Sequence, residues 1–138
     1  MWFRNLQLYR LPAHWKIAAA DLESRLATRP LQDCGSQDME SRGWVPPRDG
    51  DELLRAVGGH WLIALGVESR LLPAAVVRQE ADVRAEALAD KQGFKLGRKQ
   101  LRDLREQVAQ ELMPRAFTRR RRTFAWIDPL GGWLGVDA

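Results

Sequence analysis

The spacing of apolar residues predicts a strand and then a helix in the first part of the chain. In Trp2–Tyr9 apolar and polar residues alternate, with Trp2, Leu6 and Leu8 on one face, which is the period-two pattern of a strand. Residues 17–28 carry apolar side chains at a spacing of four and stop before a proline, which is the pattern of an amphipathic helix. This part of the chain therefore combines both kinds of element.

The middle of the chain predicts a short helix and a buried strand. Asp51 is a residue type that caps helix N-termini, and Gly58–Gly59 would close a helix over residues 51–57. His60–Val67 is a compact apolar run whose length fits a buried strand. The predicted strand therefore follows directly after the pair of glycines.

The second half predicts two helices and a β-hairpin. Residues 74–90 are rich in helix-forming residues, and a second helix over about 98–113 is stopped by Pro114. This second helix has an apolar stripe formed by Leu101, Leu104, Val108 and Leu112. Residues 123–128 and 133–136 then flank a Pro-Leu-Gly-Gly turn, which predicts a hairpin.

Together these elements predict an α+β fold, in which short antiparallel sheet elements pack with helices and a helical pair protrudes. We expect an N-terminal α+β portion over residues 1–72 and a helical basic arm over residues 73–117. A β-hairpin over residues 118–138 would return to the sheet. Because Trp133–Val136 is a strand that needs a neighbour, we also expect the fold to continue beyond residue 138.

Positive charge is concentrated late in the chain. The net charge is +4, but residues 1–69 carry a net −1 and residues 70–138 a net +5. Lys91–Arg122 alone holds 11 basic and 3 acidic residues. Binding to a polyanion needs such a concentration, because affinity for phosphates follows the local electrostatic potential. The simpler interpretation is a solvated helix face, although four consecutive arginines repel one another unless a counter-charge is near.

Two groups of cations are candidate contacts to phosphate. The first projects from neighbouring turns of the predicted helix over 98–113. The second follows that helix, and if Arg119–Arg122 is extended, Arg120 and Arg122 face one side while Arg119 and Arg121 face the other. One pair would then meet a phosphate backbone, and the other would pack against carboxylates or point along the groove. The candidate DNA-contacting residues are Lys99, Arg102, Arg105, Arg115, Arg119, Arg120, Arg121 and Arg122.

Residue types for catalysis or metal binding are scarce. One cysteine, Cys34, and two histidines are too few for a Cys/His zinc site, and a thiol nucleophile would lack oxyanion donors and an orienting third group. Carboxylates near residues 38–51 are scattered among prolines and glycines rather than clustered for two metals. We therefore expect no enzyme activity, no metal and no cofactor. A single thiol fits a reducing cytoplasm, and no apolar run approaches the ~20 residues of a membrane span.

Six tryptophans have two interpretations, namely base stacking on a single strand or core packing. They are Trp2, Trp15, Trp44, Trp61, Trp126 and Trp133. Four of them lie in apolar runs or beside proline and glycine, which favours the core. Trp15, between His14 and Lys16, has the least core-like surroundings.

Four sequence blocks carry a resemblance to a known family. They are MWFRNLQLYRL in the first part of the chain, CGSQDMESRGWVPP over Cys34–Pro47, LMPRAF over Leu112–Phe117, and WIDPLGGWLGVDA at the end. In these blocks the chain resembles the RdgC family of bacterial recombination-associated proteins. The resemblance is loose between about Pro73 and Glu111. Family members are about twice as long, so we expect this chain to correspond to their N-terminal half.

The resemblance implies a part of a larger ring-forming fold that binds duplex DNA without sequence preference. It implies a homodimer in the full-length form, with Phe117 at a contact between protomers, and a basic inner wall around the duplex. It also implies a nucleoid-associated protein of the cytoplasm that limits access of the RecA recombinase to DNA. No membrane partner is expected.

Other functions remain open at the level of the sequence. The basic segment could dock an acidic protein partner, with the tryptophans forming an apolar patch. RNA binding would appear as a preference for structured or single-stranded RNA. Competition by DNA and the salt dependence of binding distinguish these possibilities.

Overall fold

A computed structural model of the protein describes residues 3–138 and confirms the α+β class. Trp2, assigned above to the first strand, lies outside the described residues. The elements in chain order are β1 (Leu6–Arg10), α1 (Ala19–Leu26), β2 (Glu40–Val45), β3 (Arg55–Val57), β4 (His60–Arg70), α2 (Ala74–Gln92), α3 (Arg98–Leu112), a 3-10 turn (Met113–Arg115), β5 (Thr118–Asp128) and β6 (Trp133–Asp137).

The chain divides into two compact units. The first, here called the sheet unit, contains the described residues up to Asp33 together with Ser41–Glu68 and Arg120–Ala138. The second, here called the hairpin unit, contains Cys34–Glu40 and Ser69–Arg119. Each unit is described by itself below.

The sheet unit is built on strands in the order β1-β6-β5-β4-β2, with β3 paired to β4. The β5–β6 hairpin is antiparallel, with Trp126 opposite Gly135 and Ile127 opposite Leu134. It confirms the hairpin predicted around the Pro-Leu-Gly-Gly turn. On the other side of β6, β1 pairs antiparallel with Leu8 opposite Gly135.

One face of this sheet carries the core. Because side chains alternate along a strand, Trp61 and Ile63 of β4 and Ile127 of β5 point to the same face and are buried there. Leu26 of α1 is buried in the same cluster. Trp15 packs against this cluster with its ring centroid 6.2 Å from that of Trp61, so the expectation that it is the least core-like tryptophan was wrong.

The predicted helix over residues 51–57 was wrong. Residues 55–57 form β3, which pairs antiparallel with the start of β4 in the register Val57 to His60. Gly58 and Gly59 have φ values of 58° and 79°, and two consecutive positive φ values are what a tight two-residue hairpin turn requires. A pair of glycines can follow the end of a helix or form the turn of a hairpin. Here the pairing of β3 with β4 makes it the turn of a hairpin.

The loop Cys34–Pro47 contributes β2 as well as irregular chain. Within β2, Trp44 donates its N–H to the carbonyl of Arg29, and the N–H of Leu31 donates to the carbonyl of Trp44. β2 and the segment of residues 29–31 approach so closely that a Cβ on Gly43 would lie 2.3 Å from the backbone of Pro30 and Leu31. Glycine is therefore required at position 43 for steric reasons.

The hairpin unit contains the two long helices, and both confirm the prediction. Ala81 of α2 and Leu104 and Val108 of α3 form its buried cluster, with Val77, Ala85, Leu96 and Leu112 packed around it. Gly93 ends α2 in the left-handed conformation, with a φ of 85°. Arg84 of α2 donates hydrogen bonds to Glu80 at 3.2 Å and to Glu111 of α3 at 2.6 Å, which links the two helices.

None of the helices formed by residues 3–138 has the length and apolar character that a membrane span requires.

Candidate nucleic-acid interface

The eight candidate cations are distributed over both units. Lys99, Arg102, Arg105, Arg115 and Arg119 belong to the hairpin unit. Arg120, Arg121 and Arg122 belong to the sheet unit. All eight side chains are exposed. An exposed cation that is already bound to a carboxylate or a carbonyl is less available to a ligand. The availability of each cation therefore depends on its ion-pair and hydrogen-bond partners.

The α3 cations project from the solvent side of a helix whose opposite side is buried. Leu104 and Val108 bury that opposite side against α2, and this orientation leaves Lys99, Arg102 and Arg105 in solvent. Within residues 3–138 none of these three has an ion-pair partner within 4 Å. Asp103 and Glu106 are also exposed on α3 and reduce the local positive potential without pairing. This row is therefore a set of solvated cations without ion-pair partners among the described residues.

Arg115 lies in the 3-10 turn that follows α3. Pro114 occupies this turn, and Arg115 is its last residue. The charge of Arg115 contributes to the lowered pKa of Glu111, although the main cause of that shift is the hydrogen bond from Arg84. Arg115 thus lies near the C-terminal end of α3, where a cation also complements the helix dipole.

The arginine run lies in β5, and this strand confirms the expected alternation of its side chains. Arg120 is held by carboxylates from two other segments. Its Nε donates to Oε1 of Glu68 at 2.9 Å, and its Nη2 donates to Oδ1 of Asp33. Arg120 is therefore tied to counter-charges within the sheet unit.

The burial of Glu68 explains why Arg120 is paired with it. Its side chain is only 6% exposed, and a buried carboxylate requires compensation by hydrogen bonds or a counter-charge. The hydrogen bond to Glu68 is also the main cause that raises the pKa of the Arg120 guanidinium. No sequence signal pointed to Glu68 or to Asp33, because they lie 52 and 87 residues from Arg120 along the chain.

Arg122 points to the same side of β5 as Arg120 and has different partners. Its Nη1 donates to the carbonyls of Pro46 and Pro47 at 3.3 and 3.4 Å. Its Cζ also lies 5.4 Å from the ring centroid of Phe124. These contacts fix the side chain but do not neutralise its charge.

Arg119 and Arg121 point to the other side of β5. In the part of the chain that the structure describes, neither has an ion-pair partner. The strand therefore separates its four arginines into one pair with structural partners and one pair without them. The sequence predicted this separation but not which pair would be engaged.

Phe117 is one of the most exposed apolar side chains described, with 84% of its surface accessible. Its carbonyl accepts a hydrogen bond from the N–H of Leu71 at 2.7 Å. Close by in the hairpin unit, the guanidinium of Arg70 donates to the carbonyls of Cys34, Gly35, Asp38 and Ala116. Arg70 thus fixes two irregular segments of this unit, a role that the sequence pattern did not indicate.

Within residues 3–138, no three His, Cys, Asp or Glu side chains come together in an arrangement that could hold a metal ion. Cys34 is partly buried in the hairpin unit. The chemistry that the candidate residues offer is therefore charge and hydrogen-bond donation.

Comparisons with known proteins agree over the whole chain. A protein-family model described as "Putative exonuclease, RdgC" matches residues 1–138. The recombination-associated protein RdgC of Dechloromonas aromatica is 54% identical over all 138 residues, which cover 45% of that relative. Proteins of the same name from Janthinobacterium sp. strain Marseille and Herminiimonas arsenicoxydans are 46% and 49% identical over the full chain, which covers 46% of each. The chain thus spans less than half the length of these relatives.

Proposed function

The chain belongs to the RdgC family, and on that premise we propose that it binds duplex DNA through the phosphate backbone without reading the base sequence. Relatives at 46–54% identity carry the name recombination-associated protein, which makes DNA the polyanion of first choice. The charge distribution and the contacts of the cations support the same ligand.

The observation that carries the proposal is the row of free cations on α3. Lys99, Arg102 and Arg105 are exposed and have no ion-pair partner among the described residues, so a phosphate would not have to displace a carboxylate. Contacts to phosphate release condensed counterions, and this release dominates non-specific affinity. Phosphate contacts carry no sequence information, so no base preference is expected.

The four arginines of β5 would contribute unequally to DNA binding. Arg119 and Arg121 are available to phosphate oxygens, which a guanidinium binds with charge-assisted hydrogen bonds. Arg120 and Arg122 would mainly hold β5 in place, because Glu68 and the carbonyls of Pro46 and Pro47 already occupy their donors. Arg115 would add a further contact after α3.

The test is a salt titration of binding to random-sequence duplex DNA, followed by fluorescence anisotropy. We expect the logarithm of the affinity to fall linearly with the logarithm of the salt concentration, with a slope of about −0.9 for each phosphate contact. The K99A/R102A/R105A variant should lose affinity at low salt and flatten the slope by about 2 to 3. R119A/R121A should flatten it by about 1 to 2.

The matched control is R25A/R29A, which removes the same charge as R119A/R121A from exposed positions at α1 and just after it. It should reduce affinity slightly through net charge and leave the slope unchanged. A slope that is the same in wild type, K99A/R102A/R105A and the control would contradict the proposed role of α3.

The family description "Putative exonuclease" calls for a separate assay of DNA cleavage. We propose that the chain binds DNA without cleaving it. End-labelled duplex incubated with the chain and Mg²⁺ or Mn²⁺ should stay intact. Time-dependent release of mononucleotides would show a nuclease and contradict this part of the proposal.

The homodimeric ring and the antagonism of RecA are proposals about the longer relatives, because this chain covers 45–46% of them. In such a relative Phe117 would lie at the contact between protomers, and its high exposure here supports that role. In a full-length relative, Asp substituted for the corresponding Phe should weaken self-association in sedimentation experiments. It should also reduce inhibition of RecA-dependent strand exchange.

The alternative function is docking of an acidic protein through the basic segment. An acidic protein that stays bound in an excess of random-sequence duplex DNA would favour this alternative. Salt-sensitive binding to the duplex that the combined R119A/R121A and K99A/R102A/R105A variant loses would favour DNA binding.

A further inference from the structure

The face of the sheet opposite the core carries exposed apolar side chains on β1 and β3, and no helix of the described sheet unit covers them. Trp61, Ile63 and Ile127 point to the core face, so the neighbouring positions along each strand point the other way. On β1 these are Leu6 and Leu8, which are 50% and 54% exposed, and on β3 Val57 is 63% exposed. Here this surface is called the open face.

A hollow of about 500 Å³ lies beside the β3–β4 hairpin, and most of its lining belongs to the open face. It is lined by Phe3, Arg48, Arg55, Val57, His60, Trp61, Leu62 and Trp126. Its volume falls in the range of about 300 to 1,000 Å³ that is typical of ligand pockets. Aliphatic and aromatic side chains form most of its walls, and two arginines, here called the border arginines, also line it. An occupant should therefore combine apolar side chains with negative charge.

The two border arginines are free to bind such an occupant. Arg48 and Arg55 are exposed, and within residues 3–138 neither has an ion-pair partner. Arg48 also lines a neighbouring cleft of about 490 Å³ together with Arg121 and Arg122. Positive charge thus continues from the hollow along one side, which complements an acidic ligand longer than one residue.

The aromatic rings of the open face distinguish a peptide from a single-stranded nucleic acid. Base stacking needs an accessible ring face. The ring of Trp126 is stacked on His60 at a centroid distance of 5.2 Å, and its Cε3 atom lies over Gly135. The ring of Phe124 has the Arg122 guanidinium at 5.4 Å.

Trp133 is covered in the same way, with the Arg10 guanidinium 4.5 Å from its ring centroid. Among the tryptophan and phenylalanine rings of β5 and β6, each therefore already has a partner on one face. The exposed apolar side chains of β1 and β3 on the open face, Leu6, Leu8 and Val57, are aliphatic, and these suit the apolar side chains of a peptide better than the flat face of a base.

We propose that the open face docks an acidic peptide segment of a partner protein. One or two apolar side chains of the segment would enter the hollow against Val57 and Leu62. Its carboxylates would accept charge-assisted hydrogen bonds from Arg48 and Arg55. Arg48 and Arg55 are not among the residues proposed to bind duplex DNA, although Arg121 lines the same cleft as Arg48.

The test uses a pooled library of decapeptides in which Asp or Glu alternates with Leu, Ile, Phe or Trp. Binding to the intact chain is measured by affinity selection and then by fluorescence anisotropy on the enriched peptides. We expect enriched peptides whose affinity falls with salt and is about tenfold weaker for R48A/R55A. Val57→Asp should weaken binding by about tenfold as well, because it places a carboxylate in the hollow.

The control R25A/R29A removes the same charge from exposed positions of α1 and just after it, which line neither the hollow nor the neighbouring cleft, and should bind the peptides as the wild type does. Circular dichroism verifies that each variant is folded. In enriched peptides, Asn in place of Asp, or Ser in place of the apolar residues, should abolish binding.

Three results would overturn the proposal. The first is a library without enrichment over R48A/R55A. The second is binding of an oligothymidylate, rather than of any peptide, that R48A/R55A abolishes, since this would assign the face to single-stranded nucleic acid. The third is a dimer in sedimentation that Val57→Asp dissociates, since this would assign the face to a second copy of the chain. Because duplex binding is titrated separately, failure here leaves the function proposed above untouched.

Discussion

Two arginines of β5 in the sheet unit and two arginines of α3 in the hairpin unit differ in whether they have partners. In the sheet unit, Arg120 is tied to Glu68 and Asp33, and Arg122 is tied to two backbone carbonyls. In the hairpin unit, Arg102 and Arg105 extend from α3 without ion-pair partners among the described residues. A count of basic residues treats these groups as equal, whereas only the second kind is available to a ligand at no structural cost.

The two units also differ in the size of the side chains that their cores bury. The sheet unit buries large side chains, among them Trp61, Ile63 and Ile127. The hairpin unit buries Ala81, Leu104 and Val108, and it adds the polar link from Arg84 to Glu111. We therefore expect the sheet unit to be the more stable of the two, because buried apolar area is the main favourable contribution to folding.

The largest expected effect is that of Trp61→Ala in the sheet unit. Removal of the buried indole should lower the free energy of unfolding by about 3–5 kcal/mol, since it leaves a large cavity. Val108→Ala, at a fully buried position of the hairpin unit, removes two methyl groups and should cost about 2 kcal/mol. Urea denaturation followed by far-UV circular dichroism measures both. Equal losses would remove the distinction between the two cores.

The next largest effect distinguishes an ion-paired arginine of β5, Arg120, from its neighbour Arg121, which is unpaired among the described residues. Arg120→Met takes a charge partner from the buried Glu68 and should lower the free energy of unfolding by about 1–3 kcal/mol. Arg121→Met, one residue away and without an ion pair, should stay within about 0.5 kcal/mol of the wild type. Urea denaturation at neutral pH compares the two variants.

The pair Arg120→Met and Glu68→Gln supplies the control for this effect through a double-mutant cycle. In the double variant part of the loss should return, because the buried charge is gone. Strictly additive losses would show that the Arg120–Glu68 contact contributes nothing to stability.

The smallest effect concerns pH and the hairpin unit. The hydrogen bond from Arg84 lowers the pKa of Glu111 from its ordinary value of 4.5. A carboxyl group whose pKa is lower in the folded state stabilises the fold above the unfolded-state pKa and loses this contribution as the pH falls through the folded-state value. The link between α2 and α3 should therefore weaken below about pH 4.5.

Glu111→Gln provides the comparison for this pH effect. At neutral pH the variant should be slightly less stable than the wild type, and the difference should shrink as the pH falls below 4.5. Urea denaturation at a series of pH values measures it. A difference that stays constant from pH 7 to pH 3 would show that the Arg84–Glu111 pair is not the cause.

The sequence predicted the helices of the hairpin unit well, because their signals are local. A 3.6-residue stripe, a glycine after α2 and a proline after α3 are readable without knowledge of the rest of the chain. It failed at β3, where Asp51 and Gly58–Gly59 fit both a capped helix and a hairpin turn. The pairing of Val57 with His60 resolves this ambiguity, and pairing is a property of two segments.

For the candidate interface, the sequence determined the composition of the cationic segment and the alternation of the arginines along β5. Both follow from residue order and from the fixed geometry of a strand. Tertiary structure decided which arginines are engaged, since Glu68 and Asp33 reach Arg120 from 52 and 87 residues away. It also left apolar side chains exposed on the sheet face opposite the core. The physical reason is that periodicity acts between neighbours along the chain, whereas ion pairs and burial depend on where distant segments meet.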